Sequence, residues 1–201
     1  MTITAVKAQV KNSERVSVYI DGKYVFSLNH AQLLEQKLRS GLEVDEQRVV
    51  ELKKISDFGK MYERALNFVM IRPRSRRELE DYCRRKKWES AEFAAVLERL
   101  EKRGYINDRT FAKAWVESRR LTKAMSARRL RLELKQKGIT DEIVNQVFAE
   151  SEFDEGDALK AMIVKKRRLA RYQDEQKLMQ YLARQGFSFD DIKNALDDTE
   201  R

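Results

Sequence analysis

The chain matches itself in a single long repeat frame, and this periodicity constrains its fold more than any other feature. Phe111 pairs with Leu159, Ala114 with Met162, Trp115 with Ile163 and Val116 with Val164, and Arg119-Arg120-Leu121 with Arg167-Arg168-Leu169. The frame resumes at Leu130 and Leu178, Leu134 and Leu182, Gly138 and Gly186, and Ile139 and Phe187. Two amphipathic helices can share an apolar pattern by chance, but glycines and an Arg-Arg-Leu triplet in the same frame argue for a repeat. A further copy lies upstream, with Ser75, Leu79 and Cys83 in the places of Ser126, Leu130 and Leu134. Units of this length bury their apolar faces partly against one another, so a tandem, elongated and curved array is expected.

Each copy reads as three helices: 62–72, 109–121 or 157–169 first, then 76–87, 127–137 or 175–185, then 91–103, 141–150 or 190–196. Local signals agree with these limits. Arg72 precedes the only proline, Pro73, and a residue before proline disfavours the helical region. Ser75 followed by Glu78 is a capping box that restarts a helix. Gly138 and Gly186 stand where a helix ends in a left-handed residue, and Thr140 can cap the next one. Phe93, Val96, Leu97 and Leu100 form an i, i+3, i+4, i+7 core stripe.

The segment 1–59 differs. Runs at 16–20 and 24–28 flank Asp21-Gly22, a pair suited to the two positive-φ positions of a type I′ hairpin, and 3–10 can add a third strand through a turn at 11–14. This small sheet carries no visible chemistry and is expected to be a structural N-terminal cap. Asn29 with Gln32 reads as a capping box ahead of Leu33, Leu34 and Leu38, and Asp45 as the cap of a helix through Val49, Val50, Leu52 and Ile55. The fold expected is therefore mainly α: an N-terminal hairpin with helices over 1–59, then three-helix repeats over 60–106, 107–153 and 154–201. One proline and seven glycines in 201 residues leave little turn material for a larger sheet.

Charge is unevenly placed. Residues 60–131 hold 21 basic and 10 acidic groups, a net +11, while 1–59 carry +1 and 132–201 carry −3. The excess points to a polyanionic partner, either nucleic acid or an acidic protein surface. The clusters are Arg72, Arg74, Arg76 and Arg77; Arg84, Arg85, Lys86 and Lys87; Arg119 and Arg120; Arg128, Arg129 and Arg131; and Lys165, Lys166, Arg167 and Arg168. Arginine suits this task because its planar fork binds phosphate or carboxylate bidentately. The competing reading is a set of solvated helix faces with i, i+4 partners such as Glu80 and Arg84.

Cys83 is the single cysteine and takes a core position in the repeat frame, so a buried, unreactive thiol is expected. His30 is the single histidine and has no neighbouring ligands. Trp88 and Trp115 fall on apolar faces, while Asp190-Asp191 and Asp197-Asp198 lie near helix ends or the tail. No phosphate loop, nucleophile–base pair or metal-ligand spacing is present, so neither an enzyme nor a cofactor is expected. Without an apolar run at the N-terminus, and with no stretch of membrane-spanning length, the chain is expected in the cytoplasm with no membrane partner.

The segment 104–121, GYINDRTFAKAWVESRRL, is the most distinctive. Gly104 ends one helix, Asn107 or Asp108 caps the next, and Phe111 and Trp115 pin it at i, i+4. It resembles the signature of RecX regulatory proteins, in which such a turn leads into Phe-Ala-x-x-Trp-Val-x-x-Arg. RPRSRREL at 72–79 resembles that family's Arg-x-x-Ser-x-x-Glu-Leu element, and LKQKGI at 134–139 the end of its next repeat. The resemblance covers 60–197, leaving the N-terminal segment 1–59 outside it; Lys87-Trp88 departs from it where Lys-Gly is typical.

A monomer with backbone contacts to single- and double-stranded DNA is expected, and the resemblance implies a protein that lies in the groove of the RecA recombinase filament on DNA and touches more than one subunit. There it restrains ATP hydrolysis and strand exchange, with roles in homologous recombination, DNA repair and the SOS response. The fourteen cations expected to meet RecA or DNA backbone are Arg72, Arg74, Arg76, Arg77, Arg84, Arg85, Arg119, Arg120, Arg128, Arg129, Lys165, Lys166, Arg167 and Arg168. A sequence-specific helix-turn-helix regulator is the alternative, since basic three-helix units with a Gly-containing turn can imitate one.

Overall fold

The computed structural model describes residues 1–10, 12–122, 125–151 and 153–197. Along the chain run β1 (Ile3–Ala8), β2 (Arg15–Ile20), β3 (Lys23–Asn29), α1 (His30–Glu35) and α2 (Glu46–Met70). There follow α3 (Arg76–Arg85), α4 (Ser90–Lys102), α5 (Asp108–Thr122), α6 (Ala127–Gln136) and α7 (Asp141–Glu150). The last elements are α8 (Glu155–Arg167), a 3₁₀ turn (Ala170–Tyr172), α9 (Glu175–Arg184) and α10 (Phe189–Asp197). Two compact units divide them: residues 1–72 with 83–105, and residues 73–82 with 106–201.

In the first unit the strands form an antiparallel meander in the order β1-β2-β3. Asp21 and Gly22 take φ of 47° and 80°, the pair of positive values that a type I′ turn demands. Of the expected 11–14 connection, Lys11 lies outside the described residues. Alternation along the strands sends Ile3, Val16, Val18, Ile20, Phe26 and Leu28 into one core with Val49 and Leu52 of α2.

The Asn29 capping box is present in both directions, Gln32 N–H to Asn29 Oδ1 at 2.8 Å and Asn29 N–H to Gln32 Oε1 at 3.0 Å. Asp45 caps α2 through the Arg48 N–H at 2.7 Å. The sequence divides the span of α2 into two helices, one from Asp45 to about Ile55 and one from 62 to 72; the structure joins them. Gly59 does not break the helix because its bare backbone is where α1 lands. A Cβ there would sit 2.5 Å from Gln32 Nε2, which donates to the Ile55 carbonyl at 2.8 Å. Arg15 is buried at 4% exposure, bonded to the Ser27 carbonyl at 2.6 Å and to Glu63 of α2 at 2.7 Å. Ser56 Oγ donates to that same carbonyl at 2.7 Å, so sheet and α2 share one buried polar anchor.

The second unit holds the repeat. Phe111 and Leu159, Leu130 and Leu178, Leu134 and Leu182, and Ile139 and Phe187 are buried in register, as are Leu79 and Cys83 in their respective units. The first helices are less alike. In α5 Val116 is buried and Ala114 exposed, whereas in α8 Met162 is buried and Val164 is 52% exposed, so the buried stripe of α8 is rotated. Trp115 is half-buried and stacks on Phe111 with centroids 5.7 Å apart; Trp88 is also half-buried.

Helix ends follow the expected chemistry. Ser75 and Glu78 form their capping box, Asn107 caps α5 through the Thr110 N–H at 2.9 Å, and Thr140 caps α7 through the Ile143 N–H at 3.4 Å. Asp190 and Asp191 lie in the first turn of α10; Asp198 lies outside the described residues. Gly138 and Gly186 take φ of 81° and 96°. Lys87, in the equivalent place, takes φ of 57° without being glycine, and Trp88 N–H bonds the Cys83 carbonyl as Ile139 N–H bonds Leu134. The departure at Lys87-Trp88 therefore changes the residue and keeps the turn.

A Cβ on Gly138 would lie 2.6 Å from Arg77 Cβ, whereas one on Gly104, also at positive φ, would meet nothing within 4 Å. Gly104→Ala should thus cost about 1 kcal/mol of backbone strain alone. Gly138→Ala should cost about 1–3 kcal/mol more from the collision. Thermal unfolding of the two variants followed by circular dichroism checks the difference, and equal losses would count against the close approach.

Candidate partner-binding face and the module junctions

Two junctions in the second unit are built alike. Ser75, capping α3, accepts from the Glu78 N–H at 3.2 Å and donates its hydroxyl proton to the Lys137 carbonyl at 2.7 Å. Ser126, capping α6, accepts from the Arg129 N–H at 3.2 Å and donates to the Gln185 carbonyl at 2.7 Å. In both, the receiving carbonyl ends the next module's second helix, immediately before the positive-φ glycine. A carboxylate from the start of the next module completes each joint: Asp108 Oδ1 accepts from Arg76 N–H at 2.8 Å, and Glu155 Oε1 from Ala127 N–H at 3.1 Å. Burial pushes the Asp108 carboxyl upward from its ordinary pKa, and the Arg76 bond opposes that shift.

Of the expected cations, Arg76 and Arg77 lie at the first joint and Arg128 and Arg129 at the second, and several are already engaged. Arg119 is the most absorbed. Its Nε donates to Glu133 at 3.0 Å, its guanidinium lies 4.3 Å from the Trp115 ring centre, and Trp115 Nε1 donates to the same carboxylate at 3.0 Å. Arg120 pairs with Glu117 at 2.7 Å and lowers the Glu117 pKa. Arg76 pairs with Glu80 at 3.1 Å, and the Arg77 stem lies over Gly138. Arg129 hydrogen-bonds the Gln185 side chain, and Lys166 Nζ sits 4.5 Å from the Tyr181 ring centre. Arg74 and Arg167 are half-buried. Arg72, Arg84 and Arg85 of the first unit are exposed, as are Arg128, Lys165 and Arg168 of the second.

Two groups in the second unit are brought together. Arg128 and Arg129 of α6 meet Arg184 of α9 around an open cleft of about 470 Å³ beside Gly186. Lys165, Lys166, Arg167 and Arg168 close α8, and Arg171 joins them from the 3₁₀ turn. Sequence reasoning missed Arg184 and Arg171. Arg184 stands where Gln136 stands in the preceding repeat, and only the packing of α6 beside α9 marks it. It also missed Glu150, which takes Lys113 at 2.7 Å together with Arg109; these two bonds hold its carboxyl below the usual range, Lys113 contributing most.

The chemistry of the site is cationic and hydrogen-bonding. Among the described residues there is no group of three His, Cys, Asp or Glu side chains placed to hold a metal ion, and no helix long and apolar enough to cross a membrane. The sole histidine bonds the Ser13 carbonyl at 2.9 Å, and Cys83 is buried.

Tandem three-helix modules behind a small N-terminal sheet, joined by Ser–carbonyl contacts, define a helical repeat protein. Comparison with known proteins gives the family. Its models match in chain order: the RecX N-terminal domain over 1–45, and the first, second and third three-helix domains of RecX over 62–100, 107–147 and 154–196. Regulatory protein RecX of Bacillus licheniformis is 35% identical over 98% of this chain and 77% of its own length. That of Bacillus subtilis is 32% identical over the same shares of the two chains. A crystal structure of regulatory protein RecX superposes with a TM-score of 0.77 at 24% identity, covering 98% of both chains. RecX from Lactobacillus salivarius superposes at 0.61 and 23% identity, over 72% of this chain and 97% of its own. The chain belongs to the RecX family of regulatory proteins.

Glu133 serves two half-buried donors at once. Glu133→Leu leaves Arg119 and the Trp115 indole without that acceptor and should cost about 1–2 kcal/mol. Glu133→Gln keeps an oxygen for the indole and should cost less. Thermal melts, with Trp115 emission as a local readout, test the order of the two variants; an unchanged melt for the leucine variant would show the pair to be ornamental.

Proposed function

We propose that this chain binds RecA recombinase filaments on DNA and modulates them, restraining ATP hydrolysis and strand exchange and favouring disassembly or capping. The observation that carries this reading is the match through the N-terminal domain and all three modules to proteins named regulatory protein RecX. In this reading it acts as a monomer in the cytoplasm without a cofactor; that it is a regulator rather than an enzyme is in keeping with the naming of its relatives.

In this reading residues 1–59 cap three working modules over 60–106, 107–153 and 154–201. Its contact residues are the fourteen cations from Arg72 to Arg168 given above. Exposed members such as Arg85, Arg128, Lys165 and Arg168 meet DNA phosphates or acidic RecA surfaces directly. Arg119, half-buried in its pair with Glu133, contributes less, because a partner must first displace that carboxylate, whereas the exposed pairs of Arg76 and Arg120 yield at little cost.

The deciding experiment mixes the protein with ATP-loaded RecA filaments on single-stranded DNA. Co-sedimentation with altered ATPase turnover on any DNA sequence is the expected result. Sequence-specific duplex binding as a dimer, without effect on RecA, would instead favour the helix-turn-helix alternative. Replacing Arg72, Arg74, Arg76 and Arg77 by Gln should weaken DNA binding and flatten the dependence of log K on log salt, by about 0.7–0.9 per lost phosphate contact. An unchanged slope would remove this cluster from the DNA-binding set.

A further inference from the structure

The second and third modules differ at one aligned position in a way that changes the chemistry around it. In the second module Glu133 collects Arg119 and the Trp115 indole. In the third, the equivalent place in the repeat frame holds Tyr181. Tyr181 lies beside Tyr172 of the 3₁₀ turn, with ring centres 5.1 Å apart and planes at 51°. Lys166 Nζ sits 4.5 Å from the Tyr181 centre and 5.5 Å from that of Tyr172, and the Arg171 guanidinium is 5.7 Å from Tyr172. Both tyrosines are half-buried, packed against the third module's core with part of each side chain still accessible.

The surroundings are strongly basic. Residues 165–172 contain five cations and no acid. Cations in the last turn of α8 offset the helix dipole, but Arg168 and Arg171 lie beyond that turn. The 3₁₀ segment is held in place: Leu169 N–H bonds the Lys166 carbonyl and Tyr172 N–H the Leu169 carbonyl, both at 2.9 Å, and Gln173 Nε2 donates to the Arg167 carbonyl. Of the acids that follow, Asp174 caps α9 and pairs with Lys177 at 3.2 Å, and Glu175 stands in the first turn of that helix. An aromatic pair fixed among Lys and Arg side chains is the arrangement that binds unpaired bases: every base has a face to stack, while the cations take the phosphates. In a duplex that face is already used.

We propose that Tyr172 and Tyr181, flanked by Lys166 and Arg171, form a stacking site for the bases of single-stranded DNA. The site rests on the reading that the third module's cations meet nucleic acid, and adds to it a preference for unpaired strands. Lys166 moves from the rings to a phosphate as a base takes its place.

The test uses the full chain with a fluorescein-labelled oligo(dT) and a duplex of equal length, titrated by anisotropy across a salt series. Tyr172→Leu/Tyr181→Leu keeps apolar bulk for the core. It should lose at least tenfold in affinity for oligo(dT), with an unchanged salt slope and unchanged duplex affinity. Tyr172→Phe/Tyr181→Phe should bind as the native chain does. Independently of any variant's folding, photolysis of the native protein with 5-iodouracil-substituted oligonucleotide should cross-link peptides containing Tyr172 or Tyr181. Native oligo(dT) affinity in the leucine variant, or cross-links formed only elsewhere, overturns this site and leaves the regulatory reading intact. Failure of the native chain to bind either DNA overturns the nucleic-acid part of that reading and this site with it.

Discussion

The second unit depends on one hydroxyl per junction. Ser75 and Ser126 each accept a hydrogen bond from their own helix and give their only proton to a carbonyl of the following module, at 2.7 Å in both cases. Aspartate caps a helix as well but has no proton to give, and alanine does neither. Each such bond contributes only about 1 kcal/mol net, less than the burial of a single leucine at about 2 kcal/mol. The clasp therefore sets where modules meet, while Leu130, Leu134, Leu178 and Leu182 supply most of the cohesion. Its geometry also dictates the residue after the receiving carbonyl. With Arg77 or Ser126 pressed to within 2.6 Å of a notional Cβ, only glycine fits, and positive φ reinforces that choice.

The signals that were legible before folding are the ones whose physics is local. Asp21-Gly22, the Asn29–Gln32 box, the caps at Asp45, Ser75, Asn107 and Thr140, and the left-handed glycines involve partners within a few residues, so their spacing carries the information. The repeat frame added long-range content, because equivalent residues must fill equivalent places. The two helices read on either side of residues 56–61 run on as one, and the contact that Gly59 makes there, with Gln32, lies far away in sequence. Arg15 carries no local mark of burial either; its partners Ser27 and Glu63 are both distant along the chain.

Charge was legible as a total and not as a surface. The net +11 of residues 60–131 cannot reveal that Glu133, outside that window, absorbs Arg119, or that Glu150 draws in Arg109 and Lys113. The half-buried Arg119–Glu133 pair yields to a partner only at the cost of re-solvating both groups, whereas the exposed Glu150 pairs are screened by water. A cationic count thus overstates the binding face. Which cations are held by a carboxylate or by packing is decided by the fold.

Where the modules differ, the differences follow from what each position must do. The second-helix caps are Ser75, Ser126 and Asp174, and the second-helix ends are Lys87, Gly138 and Gly186. Asp174 still caps α9, accepting from the Lys177 N–H at 3.1 Å, but cannot repeat the proton-donating clasp with another carbonyl. Lys87 still makes the left-handed turn, at a strain of about 1–2 kcal/mol, but carries the Cβ that the arrangement at Gly138 leaves no room for. Among the described residues the clasp thus falls at the two places where both halves are chemically complete. The change from Glu133 to Tyr181 has the same logic applied to the outer face: it replaces a group that consumes cations with one that collects them.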